Sequence, residues 1–300
     1  MRLGIDIGAT WLRAVQWREG RLLALGQWRT PAPEALPELL HELRRHLDAP
    51  LDGLGVGFAA ALDGSGVVCE WPNRPEYVGF EFFPLLGAFE APPRATRVVD
   101  DCAAAAYGEH CGLAGGESSS TLYIGWGTGL GAGAVFDGRP HLGARSRAWG
   151  IGHTPVPSAA TLLCRCGRIG CLQALVGGPV LEQRARSRGW QGEALGRAAA
   201  AGNALARSVI SDAARELAAA VGKLAALLDP HRVVIGGGAT EAGESALAPL
   251  RESFEQHAPG VPLQLARYAS YSGAVGAALW TGQGAPGFDS HRLRWEHPRS

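Results

Sequence analysis

The chain has 300 residues, more than one typical core and enough for two lobes or one large α/β domain. Apolar residues make up 46% and charged residues 19%, the values of a folded globular protein and not of a long disordered chain. The formal net charge is zero and the arginines are scattered, which leaves no electrostatic footprint for a nucleic-acid partner and no polybasic patch for a membrane.

The N-terminal stretch MRLGIDIGATWL carries Asp6 and Gly8 inside its apolar run, so it lacks the uninterrupted core of a signal peptide. No segment approaches the roughly 20 apolar residues of a membrane span. These features predict a cytoplasmic protein whose cysteines stay reduced. RLGIDI (2–7) reads as a buried strand, WLRAVQW (11–17) as a second and GRLLALGQW after it as a third, a meander turning at Glu19-Gly20. PEALPELLHELRRH has apolar residues at helical spacing. LGVGFAA (54–60) and TRVVD (96–100) are further strands, and the second runs straight into the helix CAAAAYGEH with Asp100 or Asp101 placed to cap it.

TLYIGWG (121–127) opens a second series, in which GTGLGAGAVFDG is a glycine turn leading to a strand and a hairpin. GIDIGATWLRAV and YIGWGTGLGAGAV share one logic of strand, glycine- and threonine-bearing turn, and strand, an internal duplication in outline. Residues 203–228 hold the longest helical pattern, apolar at Leu205, Val209, Ile210, Ala213, Leu217, Val221 and Leu224. RVVIGGG (232–238) is a strand ending in three glycines, and SYSGAVGAALW (270–280) a turn with a small-residue helix.

Cys164, Cys166 and Cys171 are spaced C-x-C-x4-C, with His153 a short loop upstream. Three thiolates and one imidazole make a tetrahedral zinc set, with ligands about 2.0 to 2.3 Å from the ion. Three reduced, buried cysteines beside an unrelated histidine are the plain alternative. Clustering at ligand spacing beside Gly167 and Gly170 favours metal. Cys69, Cys102 and Cys111 are scattered and read as small core residues.

GIGHTPV followed by CRCGRIGCLQ resembles the signature of the ROK family of repressors, open reading frames and sugar kinases. The family's zinc motif, C-x-C-G-x-x-G-C-x-E, is matched at every position but the last, and the likeness runs in order over about residues 2–280. It implies an α/β, two-lobed, duplicated actin-like (ribonuclease H-like) fold, with ATP and a sugar in the cleft between lobes. On that basis residues 1–110 form an N-terminal lobe, and 111–282 a C-terminal lobe whose last helix packs back on the first. Residues 283–300 form a polar tail. The cofactors implied are ATP, Mg²⁺ and a structural Zn²⁺, and the partners a small sugar and further copies of the chain as dimer or tetramer.

DIGATWLRA resembles the first phosphate segment of that superfamily. Backbone N–H groups at Gly8 approach phosphate oxygens, Thr10 adds a hydroxyl and Asp6 holds Mg²⁺ through water; an ordinary hairpin is the alternative. GTGLGAGAV resembles the second, contributing Gly127, Thr128 and Gly129, and VVIGGGA the adenosine segment with Gly236, Gly237 and Gly238. Asp101 takes the place of the general base, accepting the proton of a sugar 6-hydroxyl as it attacks the γ-phosphate. A helix-capping role for Asp100 or Asp101 is the competing reading.

The family's sugar pocket has an asparagine before the base, a glutamate in G-E-x-G-H, the zinc-bound histidine and the glutamate that ends the cysteine motif. Here those positions are Asp100, Gly150, His153 and Gln173, with Asn73 in a loop near the sugar. Losing both glutamates removes hydrogen bonds of roughly 1.5 to 3 kcal/mol each, so ordinary glucose should bind weakly. Asp100 adds an acceptor-only anion, which suits a substrate with a donor such as an amine, or with another hydroxyl pattern. Trp149 is either a stacking face or a core residue. An ATP-dependent sugar kinase of shifted specificity and a non-catalytic sugar sensor both fit; an ATPase acting on no sugar fits the zinc motif poorly. The family's repressors add an N-terminal helix-turn-helix, and this sequence opens at the first phosphate segment.

Overall fold

The computed structural model describes residues 1–112, 119–144, 146, 148–192, 194–282 and 294–296. They fall into two units: Met1–Gly116 with Arg139–Ala148 and Tyr271–Ser300, and Glu117–Gly138 with Trp149–Ser270. Each has its own apolar core.

The first unit opens with β1 (Arg2–Ile7), β2 (Trp11–Arg18) and β3 (Arg21–Arg29), an antiparallel meander. Its tight turn sets Glu19 and Gly20 at φ 52° and 80°, the left-handed pair that matches strand twist. Helix α1 (Leu36–Arg45) buries Leu36, Leu40 and Leu43 on one face. β4 (Gly53–Phe58) is buried along its whole length and runs parallel to β1, as a strand covered on both sides must. A small ribbon of β5 (Ala61–Leu62) and β6 (Val68–Glu70) follows. The rings of Phe58, Trp71, Tyr77 and Phe82 then pack with centroids 4.6 to 5.1 Å apart, and so anchor the loop that carries Asn73. After the short α2 (Phe83–Leu86), β7 (Thr96–Val99) pairs parallel to β4 and leads directly into α3 (Asp101–Gly112).

In the second unit β8 (Thr121–Trp126) and β9 (Leu130–Phe136) form an antiparallel hairpin. β10 (Arg139–Pro140) belongs to the first unit. The second continues through α4 (Gln173–Val176), α5 (Gly178–Ser187) and α6 (Leu195–Ala200) to α7 (Ala204–Leu228). Asn203 caps α7 by accepting the Ala206 N–H at 3.0 Å, and Val209, Ile210, Ala213, Leu217 and Val221 form its buried stripe. β11 (Arg232–Gly236) lies parallel to β8, and after α8 (Glu244–Glu255) β12 (Leu263–Leu265) lies parallel to β11.

The chain then returns to the first unit as α9 (Ser272–Trp280), which packs on β1, β4 and α3. Its small residues are needed for that approach: a Cβ on Gly276 would lie 1.7 Å from the Ala104 carbonyl oxygen. β13 (Arg294–Glu296) pairs with β3; the rest of the 283–300 tail lies outside the described residues. The strand order β2-β1-β4-β7 in one unit and β9-β8-β11-β12 in the other is one pattern used twice. In each, the first pairing is antiparallel and the next two are parallel. The duplicated α/β architecture expected from the sequence is therefore present. Among the described residues no helix is long and apolar enough to cross a membrane.

Candidate active site

In the first unit, Asp6 at the end of β1 is only 8% exposed. Its Oδ1 is buried without a hydrogen-bond partner. A Cβ on Gly57 of β4 would lie 3.3 Å from the Asp101 Cα and 3.7 Å from that Oδ1, so the two acids flank one spot that glycine keeps open. Burial first, and then the Asp101 and Asp100 charges against an opposing Arg13, push the Asp6 carboxyl up to about 8. An orphaned, buried carboxylate oxygen fits a cation or its bound water.

Asp100 caps α3. Its Oδ1 accepts the Ala103 N–H at 2.9 Å and its main-chain oxygen accepts the Ala104 N–H at 2.9 Å. Asp101 begins the helix, with Oδ1 accepting the Cys102 N–H at 2.8 Å. Burial raises Asp101, against hydrogen bonds from Cys102 that pull the other way. Asp100 thus supplies the cap, as the capping reading expects.

The turn between β1 and β2 is held from behind. Thr30 Oγ1 donates to the Gly8 carbonyl at 2.7 Å, Arg74 Nη1 to the Ala9 carbonyl at 2.9 Å, and the Thr30 N–H to the Thr10 carbonyl at 3.0 Å. A trans peptide sets each C=O opposite to the next N–H, so the Ala9 and Thr10 N–H groups point away from this anchor. That leaves an N–H face of the kind that receives phosphate oxygens. Arg74 also donates to Thr30 and Pro31 carbonyls. Asn73 beside it keeps Oδ1 buried and without a protein partner. Neither Thr30 nor Arg74 stands out in the sequence. The only signal is that Arg74 adjoins Asn73.

In the second unit, His153, Cys164, Cys166 and Cys171 converge, with one ligand atom from each lying within 4.8 Å of the others. The Cys164 Sγ lies 3.8 Å from His153 Nδ1, and the Cys166 Sγ 3.7 Å from the Cys171 Sγ. A tetrahedron with zinc–sulfur bonds of about 2.3 Å has edges of about 3.8 Å between sulfurs and about 3.6 Å from sulfur to nitrogen. Donor set and spacing both fit zinc. Burial raises the Cys166 thiol, but hydrogen bonds from Arg168 outweigh it and bring the group down to about 7.

Gln173, at the end of the cysteine run, is 6% exposed, and its Oε1 accepts the Leu130 N–H at 2.9 Å. It ties α4 to the start of β9. Gly150 caps the turn that carries His153, and a Cβ there would meet nothing within 4 Å. Trp149 packs its ring 6.1 Å from that of Phe136, against the core of its unit. Gly127 and Gly129 close a turn through an N–H to carbonyl bond of 3.0 Å around Thr128. The three-glycine end of β11 lies against this turn: a Cβ on Gly127 would sit 3.5 Å from the Gly238 nitrogen. Gly237 has φ 89°, and a Cβ there would lie 2.5 Å from the Trp126 carbonyl oxygen, so only glycine fits. The second glycine turn and the Gly236–Gly238 segment thus share one face of one unit.

A twice-used sheet, acids at the end of β1 and the start of α3, and a three-cysteine, one-histidine cluster define the class, an α/β protein of actin-like fold with a candidate zinc site. The ROK family model matches residues 2–283, and the chain belongs to that family. A kanosamine kinase of Amycolatopsis mediterranei is 33% identical over 304 residues, covering 95% of this chain and 97% of that protein. An N-acetylmannosamine kinase of Escherichia fergusonii is 32% identical, covering 92% and 97%. The crystal structure of a ROK family glucokinase from Streptomyces griseus, in complex with glucose and AMPPNP, aligns with a TM-score of 0.82 at 27% identity. It covers 94% of this chain and 99% of that one. Over nearly its full length the chain is thus homologous to sugar kinases.

Proposed function

We propose that this chain is an ATP-dependent kinase of a hexose or hexose derivative, transferring the γ-phosphoryl group to the sugar's 6-hydroxyl with Asp101 as general base. The observation that carries the reading is the state of Asp101. Its carboxylate is fixed by the Cys102 N–H and raised by burial, and a base poised above the ordinary carboxylate range takes a hydroxyl proton more readily. The cap on α3 is made by Asp100, so Asp101 is spared for chemistry.

Other residues take the roles that phosphoryl transfer asks for, positioning and charge neutralisation. Asp6 would hold Mg²⁺ through water, and Mg²⁺ when bound supplies charge neutralisation at the phosphates. The Gly8–Thr10 turn and Gly127–Gly129 with Thr128 would receive phosphate oxygens, and Gly236–Gly238 the adenosine. Zinc on Cys164, Cys166, Cys171 and His153 would fix the imidazole, so that its other ring nitrogen faces a sugar hydroxyl. Asn73, Asp100, Gly150 and Gln173 complete the sugar side, Gln173 by holding β9 and α4 together. Relatives named as kinases of kanosamine and N-acetylmannosamine and as a glucokinase support a hexose or amino hexose as substrate.

A catalytically weak sugar sensor is the second reading, favoured by Gly150, where no side chain reaches toward a ligand. An ATP-consumption screen across hexoses, amino sugars and N-acetyl sugars separates the two. Turnover with one sugar that is lost in Asp101→Asn supports the kinase. A sugar that raises thermal stability with no turnover supports the sensor.

A further inference from the structure

The specificity of the proposed kinase can be read further at Asp100, an inference that rests on the kinase reading above. The cap decides which side-chain atom does what. Asp100 Oδ1 is committed to the Ala103 N–H at 2.9 Å, and an asparagine would make the same cap with its carbonyl oxygen. The difference is the remaining atom. In asparagine it is an NH₂ group with two donors, whereas in Asp100 it is a second oxygen that only accepts and carries charge. One substitution therefore turns a donor into an anionic acceptor and leaves the helix start intact.

The surroundings do not neutralise that charge. Asp100 is exposed, and among the described residues no arginine, lysine or histidine forms an ion pair with it. Its neighbour is a second carboxylate, Asp101. Asp6, more than nine-tenths buried, keeps an unpartnered oxygen aimed at the spot that Asp101 flanks. Ligand atoms of Asp100 and Asp101 lie within 4.8 Å of each other. Two acids so close, with no protein cation on the outer one, call for positive charge from what binds there. A sugar hydroxyl can donate to Asp100, but it brings no charge.

We propose that Asp100 selects a sugar bearing a free amine, whose ammonium group donates to the second Asp100 oxygen while the 6-hydroxyl meets Asp101. Adjacent Cα atoms are about 3.8 Å apart. A pyranose with its 6-hydroxyl on Asp101 therefore lies within reach of Asp100 through another of its ring substituents. The substrate class is an amino hexose with its amine unacylated.

The test compares kcat/KM at neutral pH for glucose, for glucose analogues with an amine replacing the hydroxyl at C2, C3 or C4, and for their N-acetyl counterparts, in wild type and Asp100→Asn. A charge-assisted hydrogen bond predicts that one of these free amines is favoured over glucose by about tenfold or more. In Asp100→Asn that preference, read as the ratio of amine to glucose kcat/KM, should collapse. Asparagine preserves the cap, so the variant keeps its fold, and a thermal melt checks this. Preference for glucose or an N-acetyl sugar, or an amine preference that survives Asp100→Asn, overturns the inference and leaves the kinase reading intact. Turnover with none of these sugars, nor with the wider hexose panel, refutes the kinase reading itself, and the inference with it.

Discussion

Arg74 Nη1 donates to the main-chain carbonyl of Ala9 at 2.9 Å, joining the loop next to Asn73 to the turn between β1 and β2 across 65 positions of sequence. The same guanidinium holds the Thr30 and Pro31 carbonyls, and Thr30 in turn holds Gly8. Arg74 therefore positions the turn proposed to receive phosphate, and it ties the order of that turn to the order of the Asn73 loop.

Replacing Arg74 with leucine takes the guanidinium from the Ala9 and Thr30 carbonyls, leaves the Pro31 carbonyl only the Tyr77 hydroxyl, and lets the turn move. The expected outcome is a KM for ATP raised about tenfold or more, with a smaller change in kcat. Arg74→Lys should rescue little, because one ammonium cannot span three carbonyls as the planar fork does. Steady-state kinetics with ATP varied at saturating sugar reads this directly. An unchanged KM would show that the turn keeps its shape unaided.

The four-ligand cluster predicts about one zinc per chain in protein purified without chelator, by elemental analysis. Cys166→Ser should lower zinc content, and because a structural site couples to folding, it should lower the melting temperature as well. Protein free of zinc with an unchanged melt would argue for three ordinary reduced thiols.

Tyr77 gives a pH signature. The residue is fully buried and donates its hydroxyl to the Pro31 carbonyl at 2.9 Å. Burial, against an opposing Arg74 charge, raises its phenol to about 12, above the unfolded value of about 10. The folded state thus holds this proton more tightly. The stability it contributes is complete below about pH 10 and is lost as the pH rises through 12. Tyr77→Phe should flatten the alkaline decline of the melting temperature over that window. At neutral pH it should cost about 1 kcal/mol for the missing hydrogen bond.

The contact between α9 and α3 makes a packing prediction. Alanine at Gly276 would set its Cβ 1.7 Å from the Ala104 carbonyl oxygen, a clash that only a shift of the helices relieves. Denaturant unfolding should show a loss of about 1 to 3 kcal/mol or more. Gly150→Ala, where a Cβ meets nothing within 4 Å, serves as the tolerant control.

What the sequence reveals follows what leaves a local pattern. The meander of β1, β2 and β3 shows in its apolar runs and the Glu19-Gly20 turn, and α7 in the stripe from Val209 to Val221. The candidate zinc cluster shows in the spacing of Cys164, Cys166 and Cys171 with His153 a short loop upstream, because all four come from one short stretch. The duplication is visible as two strand–turn–strand phrases, which the structure extends to a shared four-strand order. The anchors Thr30 and Arg74 leave no trace, since a side chain bonded to a distant main-chain carbonyl imposes no periodicity. Gln173 shows the same limit: its inward turn onto Leu130 depends on how α4 meets β9. Cys69, expected in a core, is exposed, on the short ribbon that β6 forms with the two-residue β5. Trp149, open to two readings in sequence, packs with Phe136.

The most direct measurement of the central claim is sugar-stimulated ATP turnover by wild type and by Asp101→Asn, both confirmed as folded and zinc-loaded. Asparagine keeps an oxygen to accept the Cys102 N–H and removes only the capacity to take a proton. General-base catalysis contributes about 10² to 10⁴ in rate, so kcat should fall by that range while sugar-induced thermal stabilisation is retained. A variant that turns over the same sugar at the wild-type rate would contradict the assignment of Asp101 as the base.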